Sequence, residues 1–359
     1  MTDNTTVLDA LRTVHDPVIE NDIVSLGLIE SVSTAGDSVD ITVVLPTPGD
    51  DAEGRILTSM HETLTQESIE ANISTDDSPW MSAEDSILPG VKHVIAVASG
   101  KGGVGKTTVA ANLARRLADR GCSVGILDAD IHGPNLPRLL AVEGPPAVTG
   151  EDALAPPMAS GIKVMSMAFL TRNHDDPAIL RGPMVNKVMM HFLENVAWGE
   201  LDYLVVDLPP GTGDASLDLL QTLPVSGTVI VTTPHQLAVD DARKGLNLFA
   251  THEAPILGVV ENMSYFECHG CGEDHSPFGT GGAQEICAAY DVPYLGSLPI
   301  HEALGGDDPI VGDGATSANA AMDAVVASTL TSLGEVNRRR VARQQIADEH
   351  TPTVSMSEQ

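Results

Sequence analysis

Gly100-Lys101-Gly102-Gly103-Val104-Gly105-Lys106-Thr107-Thr108 follows the apolar run Val94-Ile95-Ala96-Val97-Ala98 and precedes Val109-Ala110-Ala111-Asn112-Leu113, so a strand, a glycine-rich loop and a helix are written consecutively. The spacing from Gly100 to Lys106-Thr107 is that of a phosphate-binding loop. Its glycines let successive backbone N–H groups turn inward around a phosphate, and the helix N-terminus adds the positive end of its dipole. Lys106 is expected to reach the β- and γ-phosphates, and the Thr107 hydroxyl to ligate Mg²⁺. The residues from Gly100 to Thr108 therefore predict a site for a nucleoside triphosphate, ATP, with Mg²⁺.

Lys101 adds a second expectation, because one set of phosphates does not need two loop lysines. The sequence GKGGVGKTT resembles the deviant phosphate loop of the MinD/ParA/nitrogenase-reductase group. In that group this lysine crosses a dimer interface to touch the partner's nucleotide. The resemblance implies a homodimer, with nucleotide binding coupled to dimerisation.

The chain has 359 residues, 42% of them hydrophobic and only 3% aromatic, so two or three domains with cores of Val, Ile, Leu and Ala are expected. The net charge is −31, with six lysines and none before Lys92. Nucleic acid and anionic membranes require basic patches, so neither is expected as a partner. Dispersed Asp and Glu with scarce Lys read as a halophilic composition, tolerable where salt screens self-repulsion. No secretory pattern opens the chain and no apolar run approaches a membrane span. The four cysteines, Cys122, Cys268, Cys271 and Cys287, do not make a disulfide framework, which points to a reducing cytoplasm.

The first 75 residues read as a small α+β domain. Val7, Leu8, Leu11 and Val14 share a helical face that ends at His15-Asp16-Pro17. Ile23 to Ser33 and Val39 to Leu45 read as strands, Ile56, Leu57, Met60 and Leu64 as a helix, and Ile69 to Ile73 as a last strand. Asp16-Pro17-Val18-Ile19 followed by Asp22 to Ile29 resembles the small domain of the metal–sulfur cluster assembly family. A cysteine commonly follows the second strand in that family, whereas Pro46-Thr47-Pro48-Gly49-Asp50-Asp51 contains none, which favours a docking or regulatory role. Asp16 and Asp22 are read as capping or turn residues as readily as functional carboxylates. Residues 76–89 have the composition of an acidic linker. Residues 90–334 are expected to form the ATPase domain, and 335–359 a polar, mobile tail. Leu88-Pro89-Gly90-Val91-Lys92-His93 running into the phosphate loop resembles the Mrp/ApbC family of ATPases, which implies a doubly wound, mostly parallel α/β sheet.

Further strands are expected at 123–127, 162–167, 201–207, 228–233, 256–260 and 294–298. Several deliver chemistry to their C-terminal ends, where open α/β sheets bind ligands. Asp128 and Asp130 follow the second strand of this domain. The resemblance implies that Asp130 orients the attacking water and that Asp128 holds a water on Mg²⁺, with helix capping as the plain alternative. Asp207 ends an apolar strand in the Walker B manner and would bind Mg²⁺ through water. In the loop Leu208 to Asp214, the N–H of Gly211 or Gly213 is a candidate γ-phosphate donor. The helix after Pro234 is expected near the dimer face. Asn262 matches the position that reads the purine base in related ATPases, or serves as a strand-end turn residue. Arg181 is a candidate nucleotide or partner contact, and His132 reads as structural.

Cys268-His269-Gly270-Cys271 places two thiolates one turn apart, which half fills a soft-metal site. A symmetric dimer would supply the other pair. A redox dithiol, a structural zinc shared by two chains and a bridging iron–sulfur cluster all use such a pair. The Mrp/ApbC resemblance implies the last, a [4Fe-4S] cluster held by Cys268 and Cys271 of both subunits. His269 and His275 are available but read as solvated, and Cys122 and Cys287 as buried core thiols. The expected function is an ATP-dependent iron–sulfur cluster carrier that receives its cargo from scaffold proteins and passes it to apoproteins, coupled to slow hydrolysis through the dimer interface. A MinD/ParA-type positioning switch, an electron-donating reductase, or an ATPase with a structural zinc are the alternatives. The tail lacks the amphipathic stripe that a membrane-positioning ATPase needs.

Overall fold

The computed structural model describes residues 3–35, 38–77, 87–130, 133–149, 153–170, 182–252, 254–268, 270–304 and 316–349. Arg181, His132 and His269 lie outside them. The chain divides into two compact units, Met1–Trp80 with Leu330–Gln359, and Met81–Thr329.

The first unit is the expected α+β domain. Helix α1 (Asn4–Leu11) starts where the Asp3 carboxylate accepts the Thr6 N–H, and α2 (Asp51–Gln66) where Asp50 accepts the Ala52 N–H. Strands β1 (Ile29–Ala35), β2 (Ser38–Val44) and β3 (Ala71–Asp76) form one sheet in that order. The first pair is antiparallel and the second parallel. Alternation puts Val39, Ile41 and Val43 on the inner face against Ile56, Met60 and Leu64 of α2 and Val7 and Leu11 of α1. The strand expected from Ile23 begins only at Ile29. Asp22 accepts the Ser25 N–H at 2.7 Å and its carbonyl accepts the Leu26 N–H, so residues 22–27 form turns.

The expectation of a polar, mobile tail from residue 335, with the ATPase domain ending at 334, needs correction. One helix, α9, runs Ser317–Glu349, and from Leu330 onward it belongs to the N-terminal unit. Arg338 is completely buried there. Its Nε donates to Asp16 at 2.6 Å and its Nη1 to Asp50 at 2.9 Å and Glu53 at 3.2 Å. Asn337 donates to the Thr47 hydroxyl at 3.0 Å. The apolar stripe sought at 336–346 is absent because what this part of α9 inserts is a guanidinium. Asp16, read as a turn or functional carboxylate, also accepts the Val18 and Ile19 N–H groups. Burial pushes Glu53 up to about 8, opposed by Arg338 and assisted by Asp50. Three carboxylates around one guanidinium leave negative charge in excess.

The second unit is built on a mostly parallel sheet. Its strands are β4 (Val91–Ser99), β5 (Val124–Asp128), β8 (Met158–Ala159), β9 (Ile162–Ser166), β10 (Leu201–Asp207), β11 (Val225–Thr232), β12 (Ile256–Glu267), β13 (Asp274–His275) and β14 (Tyr294–Pro299). The order is β13-β12-β11-β4-β10-β5-β9-β8, with β14 also on β12. Short β6 (Ala147–Val148) and β7 (Leu154–Ala155) pair separately from the large sheet. Among the described residues, β13 and β8 alone run antiparallel to the neighbours they pair with in the large sheet. The connecting helices are α3 (Lys106–Asp119), α4 (Leu136–Leu139), α5 (Gly182–Glu194), α6 (Asp214–Thr222), α7 (Gln236–Thr251) and α8 (Gly282–Tyr290). Residues 94–98 of β4 and 203–206 of β10 are almost wholly enclosed, the near-continuous apolar runs of strands covered on both faces. The chain leaves β4 toward β5 on one side while β11 and β12 lie on the other. The C-terminal end of β4 is therefore a topological switch point.

Removing the guanidinium leaves buried carboxylates unpaired, so Arg338→Ala should destabilise the N-terminal unit by about 3–5 kcal/mol. Hydrogen exchange should show peptides from 38–76 losing protection while those from β4 and β10 keep theirs. Raising the pH from about 5 to 8 should loosen the same peptides in the wild type. Glu53 holds in the folded unit a proton that the unfolded chain releases near 4.5, so stability falls across that interval.

Candidate functional site

The phosphate loop sits at the switch point. Gly105, in the left-handed region at φ +81°, precedes Lys106, the first residue of α3. A Cβ at Gly105 would stand 2.1 Å from the Asn262 amide nitrogen, and one at Gly100 would stand 2.2 Å from the Asp241 carbonyl oxygen of α7. Neighbouring atoms require glycine at both positions, and at Gly105 the backbone conformation requires it as well. Ser99 donates its hydroxyl to the Lys101 carbonyl at 3.0 Å, and the Lys101 side chain is half-buried. Gly102 and Gly103 are exposed, Val104 is buried, and Thr107 and Thr108 are half-buried on the first turn of α3.

Asp207 gathers the loop. Fully buried at the end of β10, it receives Lys106 Nζ on Oδ1 at 2.5 Å and the Thr107 hydroxyl on Oδ2 at 2.6 Å. Parallel register sets it beside Val97 of β4 on one side and Asp128 of β5 on the other. Burial raises the Asp207 carboxyl, with Lys106 as the main opposing charge. Burial together with the neighbouring Asp207 lifts Asp128 to about 7. The Thr107 hydroxyl and the Asp207 carboxylate are two hard oxygen donors at the mouth of the loop, the chemistry that Mg²⁺ requires.

Asp128 is committed within its own loop. Oδ1 accepts the Asp130 N–H at 3.2 Å, and Oδ2 accepts the Leu136 N–H at 3.1 Å and the Ser166 hydroxyl at 3.0 Å. These bonds organise the segment that carries Asp130, the capping alternative foreseen for this carboxylate. Asp130 is almost buried and accepts the Gly133 N–H at 3.3 Å. In the loop after β10, the Gly211 N–H is engaged by the Ser99 carbonyl at 2.9 Å, while Gly213 is exposed and caps α6. Of the two N–H groups considered for a phosphate, the one at Gly211 is already committed to the protein.

Asn262 lies on β12, and its amide nitrogen donates to the Val104 carbonyl at 2.9 Å. This bond makes it a brace of the phosphate loop and uses one of the two N–H donors of its amide. Its neighbour Glu261 is also buried, accepting the Ser264 hydroxyl at 2.7 Å and the Ala283 N–H at the start of α8 at 2.9 Å. Sequence reasoning passed over Glu261, and a carboxylate inside an apolar strand was the available signal.

The same strand continues into the cysteine site. Beyond Glu267 the chain turns back, with the Cys268 N–H on the Glu273 carbonyl at 3.0 Å and the Gly272 N–H on the Cys268 carbonyl at 2.7 Å. Strand β13 then pairs His275 with Phe266 and Asp274 with Glu267. Cys271 and His275 are exposed and Cys268 half-buried. The two sulfurs and one nitrogen of His275 lie within 4.8 Å of one another. N–H groups from Cys271 and Gly270 lower the Cys268 thiol, favouring the thiolate that binds metal. His275, expected to be solvated, joins the cluster because hairpin pairing folds it back over the cysteines. Cys287 is buried as expected and Cys122 is half-buried, and burial pushes both up to about 11.

Gly105→Ala should weaken ATP binding about tenfold or more, since L-residue strain at this φ costs about 1–2 kcal/mol before the clash with Asn262 is counted. Gly105→Ala with Asn262→Ala removes the clash and should recover part of the loss, measured by titration calorimetry with ATP.

Comparison with known proteins places the chain in a family. Residues 90–330 match the family model described as NUBPL iron-transfer P-loop NTPase, and residues 4–68 match the iron–sulfur cluster assembly protein model. The chain is 43% identical over 300 residues to the iron–sulfur cluster carrier protein of Deinococcus radiodurans, covering 83% of this chain and 85% of the relative. It is 42% identical over 328 residues to the one from Synechocystis, covering 88% and 93% respectively. Among solved structures, the nucleotide-binding protein of Archaeoglobus fulgidus in complex with ADP is 40% identical with a TM-score of 0.54, covering 69% of this chain and 93% of that one. With a phosphate loop braced by Asp207 and Asn262 on a mostly parallel sheet, and with relatives of this closeness, the chain belongs to the iron-transfer P-loop NTPase family.

Proposed function

We propose that this chain is an ATP-dependent iron–sulfur cluster carrier that receives a cluster from scaffold proteins and transfers it to apoproteins. The observation that carries the reading is that β12 joins both sites, since it supplies Asn262 to the phosphate loop and runs directly into Cys268 and Cys271. The cargo, a [4Fe-4S] cluster, is held by these two thiolates of each protomer of a homodimer. Two thiols that must stay reduced to take iron suit a reducing cytoplasm.

ATP enters with its phosphates against the N–H groups of 100–108 and the ammonium of Lys106. Thr107 would hold Mg²⁺ directly and Asp207 through water, and the ion would supply charge neutralisation on the phosphate oxygens. Asp128 fixes the loop bearing Asp130, and Asp130 orients the attacking water. As water attacks the γ-phosphorus, the bond to the β–γ bridging oxygen breaks and ADP and phosphate leave. Lys101 reaches the partner's nucleotide, so hydrolysis requires the dimer. The loop from Leu208 to Asp214 responds to the γ-phosphate through Gly213. Because Asn262 ties the Val104 carbonyl to β12, the response need not pass through the dimer interface alone.

A structural zinc remains the second reading, and the closeness of His275 to the cysteines is the observation that favours it. Anaerobic reconstitution with iron and sulfide separates the two. Wild type should gain visible absorbance with iron and acid-labile sulfide, and Cys268→Ser should lose both while binding ATP normally. A wild type that keeps stoichiometric zinc and takes up neither iron nor sulfide on reconstitution, even after the zinc has been chelated away, would overturn the carrier reading.

A further inference from the structure

The cysteine hairpin carries a nitrogen donor that a cluster shared through four thiolates leaves over. Cys271 Sγ and His275 Nε2 are 3.5 Å apart, and these two atoms with Cys268 Sγ all lie within 4.8 Å of one another. On a tetrahedral ion with metal–sulfur bonds of about 2.3 Å and metal–nitrogen bonds of about 2.0–2.1 Å, a sulfur and a nitrogen ligand stand about 3.6 Å apart and two sulfurs about 3.8 Å. The 3.5 Å edge between Cys271 and His275 matches two ligands on one ion, and no edge of the triangle exceeds 4.8 Å. Ligands of a cluster each take a different iron and stand further apart.

The backbone sets this geometry. His275 is paired directly opposite Phe266, and its ring stacks on the Phe266 ring with centroids 5.4 Å apart and planes at 27°. That stacking restrains the imidazole as an outer partner normally restrains a ligating histidine. Glu267, Glu273 and Asp274 on the same hairpin add negative charge that favours a dication.

We propose that a single protomer binds one divalent, borderline-soft metal ion through Cys268 Sγ, Cys271 Sγ and His275 Nε2, leaving a fourth position for an exogenous ligand. This rests on the reading of the hairpin as the metal–sulfur site and deepens it. Each protomer can load one ion without its partner, and His275 yields its place when two chains assemble a cluster. Binding releases the protons of the two thiols, and no electron moves.

Cobalt(II) is the probe. Full-length reduced, metal-free protein is titrated anaerobically with CoCl₂, following sulfur-to-cobalt charge-transfer and d–d absorption. The expected result is one cobalt per chain, with affinity lowered at least about tenfold and the d–d bands shifted in His275→Ala. His275 and Cys271 are exposed, so their replacement leaves the fold intact. One cobalt per two chains, or unchanged affinity and spectrum in His275→Ala, would overturn the proposal. In the latter case, iron–sulfide reconstitution of the same variant shows whether the carrier reading survives. A cluster that forms in His275→Ala and is lost in Cys268→Ser leaves that reading standing.

Discussion

A buried carboxylate holds the nucleotide end of this molecule together. Asp207 has no exposure to water, and its desolvation is tolerable only because both oxygens meet strong donors, the Lys106 ammonium and the Thr107 hydroxyl. The interaction ties an apolar strand ending in Asp207 to a glycine loop ending in Lys106-Thr107. Neither segment could keep its conformation alone. The loop needs a counter-charge at its helix end, and the carboxylate needs donors that its own strand does not supply.

Around that pair the sheet arranges the remaining parts by register. Asp128 lies level with Asp207, and its three hydrogen bonds shape the segment that presents Asp130. On the other side β12 braces the loop through Asn262 and caps α8 through Glu261 before it becomes the cysteine hairpin. Phosphate chemistry and metal chemistry thus share one strand, which gives coupling within a chain a covalent route.

The sequence was most legible where period and motif coincide. The seven main parallel strands of the second unit were foreseen because each is an apolar run bounded by turn residues, and their motifs fell at the C-terminal ends as open sheets require. Legibility failed where a polar side chain is buried by a distant partner. Arg338 stands in an Arg-Arg-Arg run that reads as solvated surface, and only the acids at positions 16, 50 and 53, some 300 residues away in sequence, make it interior. His275 and Asn262 likewise have neighbours that the local sequence does not announce. Their roles depend on the hairpin pairing and on the Val104 carbonyl, and neither is a local pattern. Residues 23–28 were read as strand because their apolar content hid the turn that Asp22 starts.

The most direct test of the account is the rate at which cluster-loaded protein gives up its iron to an apo-ferredoxin with and without MgATP. The account predicts that the nucleotide changes this rate in the wild type, and that the change shrinks in Asn262→Ala although that variant still binds ATP. A release rate indifferent to nucleotide in the wild type would contradict it.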